Sequence, residues 1–129
     1  MDRKPFFYLV EDEPAHAMLI TYHIEKLGYE VIHFDNSLDF LRALPDDLDF
    51  LIVSDQLADM DSFRLCQIVR EKLDKPVRVI VTSTGVFNHQ LSEYASFTYY
   101  LQKPFSISDL KEKLQLTFKQ PVLTYQHGN

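Results

Sequence analysis

FLIVSDQLADMDSF, residues 50–63, opens on four apolar residues, Phe50 to Val53, runs into Ser54 and Asp55, and continues as an acidic loop. An unbroken apolar run, in place of an in-out alternation, marks a strand buried on both faces, the habit of a parallel sheet. Side chains alternate along a strand. If one of Ser54 and Asp55 faces a site beyond the strand end, the other therefore faces away. One is a hydroxyl and the other a carboxylate, so the register decides what chemistry the strand end carries.

Similar runs recur outward from this one: PFFYLV at 5–10, EVIHF at 30–34, VRVIVT at 77–82 and FTYYL at 97–101. Helix-like segments lie between them. The first opens at EDEPAHAM, where Pro14 suits the first turn and acidic residues favour the positive end of the helix dipole. It is expected to turn Met18, Tyr22, Ile24 and Leu27 inward and to stop at Gly28. Ser37 is expected to cap a short second helix bearing Leu38, Leu41 and Leu44, ending at Pro45. Asp61 or Ser62 caps a third, with Phe63, Leu65 or Cys66, Val69 and Leu73 on its inner face. A fourth, from Asn88 to Ala95, is weakly patterned. The last begins SISD, a capping box of Ser106 with Asp109, and repeats Ile107, Leu110, Leu114 and Phe118. Five strands, each followed by a helix, predict an α/β domain with a parallel sheet covered on both sides.

The 129 residues suit one domain over 5–119, with 120–129 a tail or the start of a linker. A net charge of −6 without a cluster of Lys or Arg argues against nucleic-acid and membrane partners. The single Cys66 precludes an intrachain disulfide, and its apolar neighbours predict a buried structural thiol. The apolar stretch near the N-terminus is too short for a signal peptide or a membrane span, which points to the cytoplasm.

In open parallel sheets, sites form beyond the carboxyl ends of the strands. There the sequence places Glu11, Asp12 and Glu13; Ser54 and Asp55; Thr82, Ser83 and Thr84; and Lys103 with Pro104. Clustered carboxylates need a cation or a lysine beside them. Hard oxygen donors of this kind suit Mg²⁺, and a hydroxyl with a lysine beside a metal suits a phosphoryl group. Each residue also has a plainer reading: helix capping for the acids, strand packing for Thr82 and Tyr100, a solvated loop charge for Lys103. The five histidines show no metal-ligand spacing and default to surface or satisfied core.

The ordered set VEDEP, SDQLADMDSF, VIVTS and YYLQKPF resembles the receiver domain of two-component response regulators over about residues 5–119. That resemblance implies a flavodoxin-like doubly wound sheet of order 2-1-3-4-5 with five helices. It further implies Mg²⁺ held by Glu11 and Asp12, a phosphoryl-binding switch hydroxyl at Thr82, a pairing lysine at Lys103 and a cis Lys103–Pro104 bond. Tyr100 matches the aromatic whose rotamer follows the switch. Aligned without gaps, Met60-Asp61-Ser62 falls on the family's MDG and Ser54 on the phosphoacceptor. Keeping Asp55 as acceptor and third metal ligand requires one residue fewer in the loop. Ala58 and Ser62 also replace the family's loop Pro and Gly, so Ser54 is the preferred occupant and Mg²⁺ is expected to bind weakly or not at all.

Three functions follow. The preferred one is a receiver with a compromised acceptor, not an enzyme, acting by protein interaction with a sensor kinase or output protein. A homodimer through the fourth helix, fifth strand and last helix belongs to the same reading. The alternative is an active receiver phosphorylated on Asp55 with Mg²⁺. The third is an aspartate-nucleophile phosphatase, suggested by DMD at 59–61.

Overall fold

The computed structural model describes residues 6–75, 77–83 and 98–119. Each apolar run forms a strand: β1 (Phe6–Val10), β2 (Glu30–Phe34), β3 (Phe50–Ser54), β4 (Arg78–Ser83) and β5 (Thr98–Gln102). All pairings are parallel, in the order β2-β1-β3-β4-β5, the flavodoxin-like doubly wound arrangement. The helices are α1 (Pro14–Lys26), α2 (Ser37–Arg42), α3 (Ser62–Leu73) and α4 (Ile107–Lys119), four among the described residues against five expected. The helix expected at Asn88–Ala95, Thr84, Phe97 and the tail 120–129 lie outside the described residues.

Alternation along the strands divides the core into two layers. Tyr8, Val10, Leu51, Val53, Val79 and Val81 face one side, where Phe40 of α2 and Leu65, Cys66 and Val69 of α3 close over them. Phe7, Leu9, Ile52, Ile80 and Leu101 face the other, under Ala17, Ile20 and Ile24 of α1 and Leu110 and Leu114 of α4. A fully buried side chain of this size contributes about 2 kcal/mol of apolar transfer, so both layers matter to the fold.

Helix ends follow the sequence chemistry closely. Glu13 caps α1 through Ala15 N, and Asp61 caps α3 through Arg64 N. At the end of α1, Gly28 takes φ +97°. Its amide donates to Glu25 O and that of Tyr29 to Ile24 O, a Schellman turn that glycine enters without Cβ strain. The Ser106–Asp109 capping box forms in both directions, at 3.0 and 3.3 Å.

Three expectations are corrected. The inner stripe of α1 is Ala17, Ile20 and Ile24, whereas Met18 is 73% exposed and Tyr22 56%. A stripe through the largest side chains of this helix runs along Met18 and Tyr22, which face solvent. The i, i+3, i+7 stripe that packs on the sheet instead includes a small alanine, which brings the helix close. In α2 the cap is Asn36, whose side chain accepts from Asp39 N; Ser37 is the first helical residue, Leu38 is exposed and Phe40 is the buried anchor. Ile107 of α4 is likewise exposed, at the open first turn of its helix.

Candidate functional site

Beyond the carboxyl edge of the sheet, the alternation that packs Ile52 under α1 and α4 carries Ser54 to the same side. Glu11 continues the Phe7–Leu9 row of β1 in the same way, Lys103 continues from Leu101, and Thr82 continues from Ile80. Ser54 and Thr82 are register partners across β3 and β4. The result is a buried polar cluster. Lys103 Nζ lies 2.9 Å from Glu11 Oε1, with Lys103 7% and Glu11 1% exposed. The same ammonium reaches His16 Nδ1 at 3.2 Å, which requires the ring proton on Nε2, and Ser54 Oγ at 3.4 Å. An ammonium has three N–H donors, and here each has an acceptor.

The remaining acidic groups go elsewhere. The other oxygen of Glu11 accepts from Glu13 N at 3.0 Å, and the Glu11 carbonyl accepts from His33 Nε2 at 2.8 Å. Asp12 Oδ2 accepts from Ala58 N at 3.0 Å. Asp55 lies on the opposite side from Ser54, where Ser83 Oγ donates to its Oδ2 at 2.6 Å. Asp55 Oδ1 and Thr82 Oγ1 are buried and have no hydrogen-bond partner among the described residues. The peptide bond Lys103–Pro104 is cis, as the family resemblance implied.

Glu11, Ser54 and Lys103 thus meet directly, with Thr82 beside Ser54 in the sheet. Asp12 lies at the rim, and Asp55 is separated from the cluster by the strand's own alternation. Tyr100 is half-buried against the α2–α3 layer, and burial pushes its hydroxyl up to about 12, with nearby Cys66 adding to the shift. His16 was missed by sequence reasoning. The signal was its place in the first turn of α1, which starts at the carboxyl edge of the sheet and points such a residue back over the strand ends.

Asp59 and Asp61 of the DMD segment serve helix ends. Asp61 caps α3, and Asp59 accepts from Ser37 N and Leu38 N at the start of α2. Neither is presented as a nucleophile.

The expected Mg²⁺ ligands Glu11, Asp12 and Asp55 do not converge. Among the described residues, no three His, Cys, Asp or Glu side chains are gathered as a metal site needs. The carboxylate of Glu11 is engaged on both oxygens, and Ser54 contributes a neutral hydroxyl to the cluster. As arranged, this donor set does not fit a divalent ion.

A family model for the response regulator receiver domain matches residues 7–115. Among curated proteins, the heme response regulator HssR of Staphylococcus saprophyticus is 24% identical over 87% of this chain and 50% of its own length. The alkaline phosphatase synthesis transcriptional regulatory protein PhoP of Bacillus subtilis is 25% identical over 87% of this chain and 48% of its own length. The chain therefore spans about half the length of these relatives. Among solved structures, a response regulator receiver domain protein from Bacillus halodurans superposes with a TM-score of 0.76 at 37% identity, covering 92% of this chain and 99% of that one. The receiver domain of the Pseudomonas aeruginosa sensor histidine kinase PA1611, solved with a magnesium ion coordinated in its active-site cleft, superposes with a TM-score of 0.78 at 21% identity. It covers 92% of this chain and 100% of that one.

Proposed function

The chain belongs to the response regulator receiver domain family, and we propose that it serves two-component signalling as a protein-interaction module whose phosphoacceptor position holds Ser54. The observation carrying this reading is the side of the sheet on which each candidate stands. Ser54 Oγ is 3.4 Å from Lys103 Nζ, within the Glu11–Lys103 cluster, while the Asp55 carboxylate is bonded to Ser83 on the far side. Phosphoryl acceptance needs a carboxylate aimed in line at a group held by its neighbours. Ser54 offers no carboxylate, and among the described residues its hydroxyl only accepts, from Gln56 N and Lys103 Nζ, with no base taking its proton.

On this reading the chain is a signalling module and not an enzyme, at work in the cytoplasm; among the described residues no helix is long and apolar enough to cross a membrane. Its partners are a sensor kinase or an output protein, or a second copy of the chain through β5, α4 and the segment before them. Support for that surface comes from an open crevice lined by Tyr100, Gln102, Pro104, Asp109 and Glu112, and from the exposed Leu116.

Intact-mass measurement after incubation with acetyl phosphate and Mg²⁺ tests the acceptor. Wild type should stay unmodified, and Ser54→Asp should gain a labile phosphoryl adduct, because it restores a carboxylate beside Lys103. A labile adduct on wild type that disappears in Asp55→Asn would show that Asp55 is the acceptor and overturn the proposal.

A further inference from the structure

We propose that the Lys103 ammonium has taken over the place of the divalent cation in this pocket, so that Glu11 and Asp12 are held by the chain itself. This rests on the receiver reading and on neutral Ser54, in place of a third carboxylate, standing beside Lys103. Glu11 is 1% exposed, and a carboxylate so buried must be paired. Its partner is already in place: Lys103 Nζ at 2.9 Å, with its other two donors on His16 and Ser54. Glu13 N holds the second oxygen of Glu11, and Ala58 N holds Asp12. Two carboxylates and one ammonium leave a single net negative charge in the pocket. A divalent ion on Glu11 Oε1 would stand beside the ammonium, and like charges in a desolvated site repel strongly. A third carboxylate would change this balance by drawing the ammonium away from Glu11, but Ser54 carries no charge to do so.

The pocket is thus built to stand without metal, and Lys103 is the positively charged group that most opposes a cation there. Replacing Lys103 with methionine keeps most of the stem volume and removes the cation. Glu11 and Asp12 then become an unneutralised pair at the edge of the sheet, which Mg²⁺ can stabilise by binding the folded state.

Thermal unfolding of the full chain in EDTA and in millimolar MgCl₂ tests this. Wild type should shift by less than ~1 °C. Lys103→Met should melt lower in EDTA and recover by ~3 °C or more with Mg²⁺. Adding Glu11→Gln to Lys103→Met should abolish that recovery. A folded Lys103→Met protein indifferent to Mg²⁺ would overturn the inference. Should Lys103→Met fail to fold, broadening of wild-type backbone amides by Mn²⁺ decides it. No broadening at Glu11 to Glu13 and Ser54 is expected, and saturable broadening there that is lost in Glu11→Gln would overturn it. A wild type that binds the metal yet takes no phosphoryl group would sink this inference alone and leave the proposed function standing.

Discussion

Thr82, the next-to-last residue of β4, carries a hydroxyl that is buried and lacks a hydrogen-bond partner among the described residues. An unsatisfied buried hydroxyl costs about 1–3 kcal/mol, so a side chain of the same shape without the oxygen should be no worse for the fold. Thr82→Val is expected to leave stability unchanged or to raise it by ~1 kcal/mol, read from the urea midpoint at constant m-value. A loss of 1 kcal/mol or more would show that the hydroxyl is bonded after all. Sequence alone reached Glu11, Ser54, Thr82 and Lys103, because strand ends are marked by where apolar runs stop. It preferred Ser54 and kept Asp55 as the alternative, because a loop one residue shorter can also be read until side-chain direction is known. It missed His16, whose role depends on how α1 is rotated about its axis, and that rotation is set by packing.

At the scale of elements, the middle of the loop between β3 and α3, at Ala58 and Asp59, is tied down twice. Asp12 accepts from Ala58 N, and Asp59 accepts from Ser37 N and Leu38 N at the positive end of α2. Charge-assisted bonds to a helix start are worth about 1 kcal/mol. Asp59→Ala should therefore cost ~1 kcal/mol and speed hydrogen exchange at the Ser37 and Leu38 amides, with the capping-box amide of Asp109 unaffected. Equal acceleration at Asp109 would mean global loosening and not a local cap. Strands and the caps of α3 and α1 were legible here because each rests on short-range rules: apolar runs, Asp61 before a helix, Gly28 after one. The inner face of α1 was not, since Met18 and Tyr22 carry more apolar surface than Ala17, yet it is Ala17 that is buried in the layer against the sheet. The double use of Asp59 was also hidden, for its partners lie more than twenty residues away in sequence.

Across the whole molecule, alkaline pH should reveal the α2–α3 layer. Burial pushes the Cys66 thiol up to about 12 from an ordinary value near 9; Arg70 partly opposes the shift and Asp61 adds to it. A group whose folded pKa is raised contributes stability that is fully present below its unfolded pKa and is lost as pH rises toward the folded one. Stability should thus hold up to about pH 9 and fall between there and about 12, with Tyr100 adding to the loss above about 10. Urea midpoints for wild type and Cys66→Val across that range check this, the variant declining less steeply. The thiol of native wild type should also stay silent to a disulfide reagent at pH 8 and react on unfolding. The doubly tied loop has its own consequence at this scale. The edge where β3 passes into α3 is held in one arrangement by these bonds, so a complex formed there would lose little conformational entropy. Its rate of formation is then governed by orientation and by the acidic field of the surface, and its lifetime by the fit of two rigid faces.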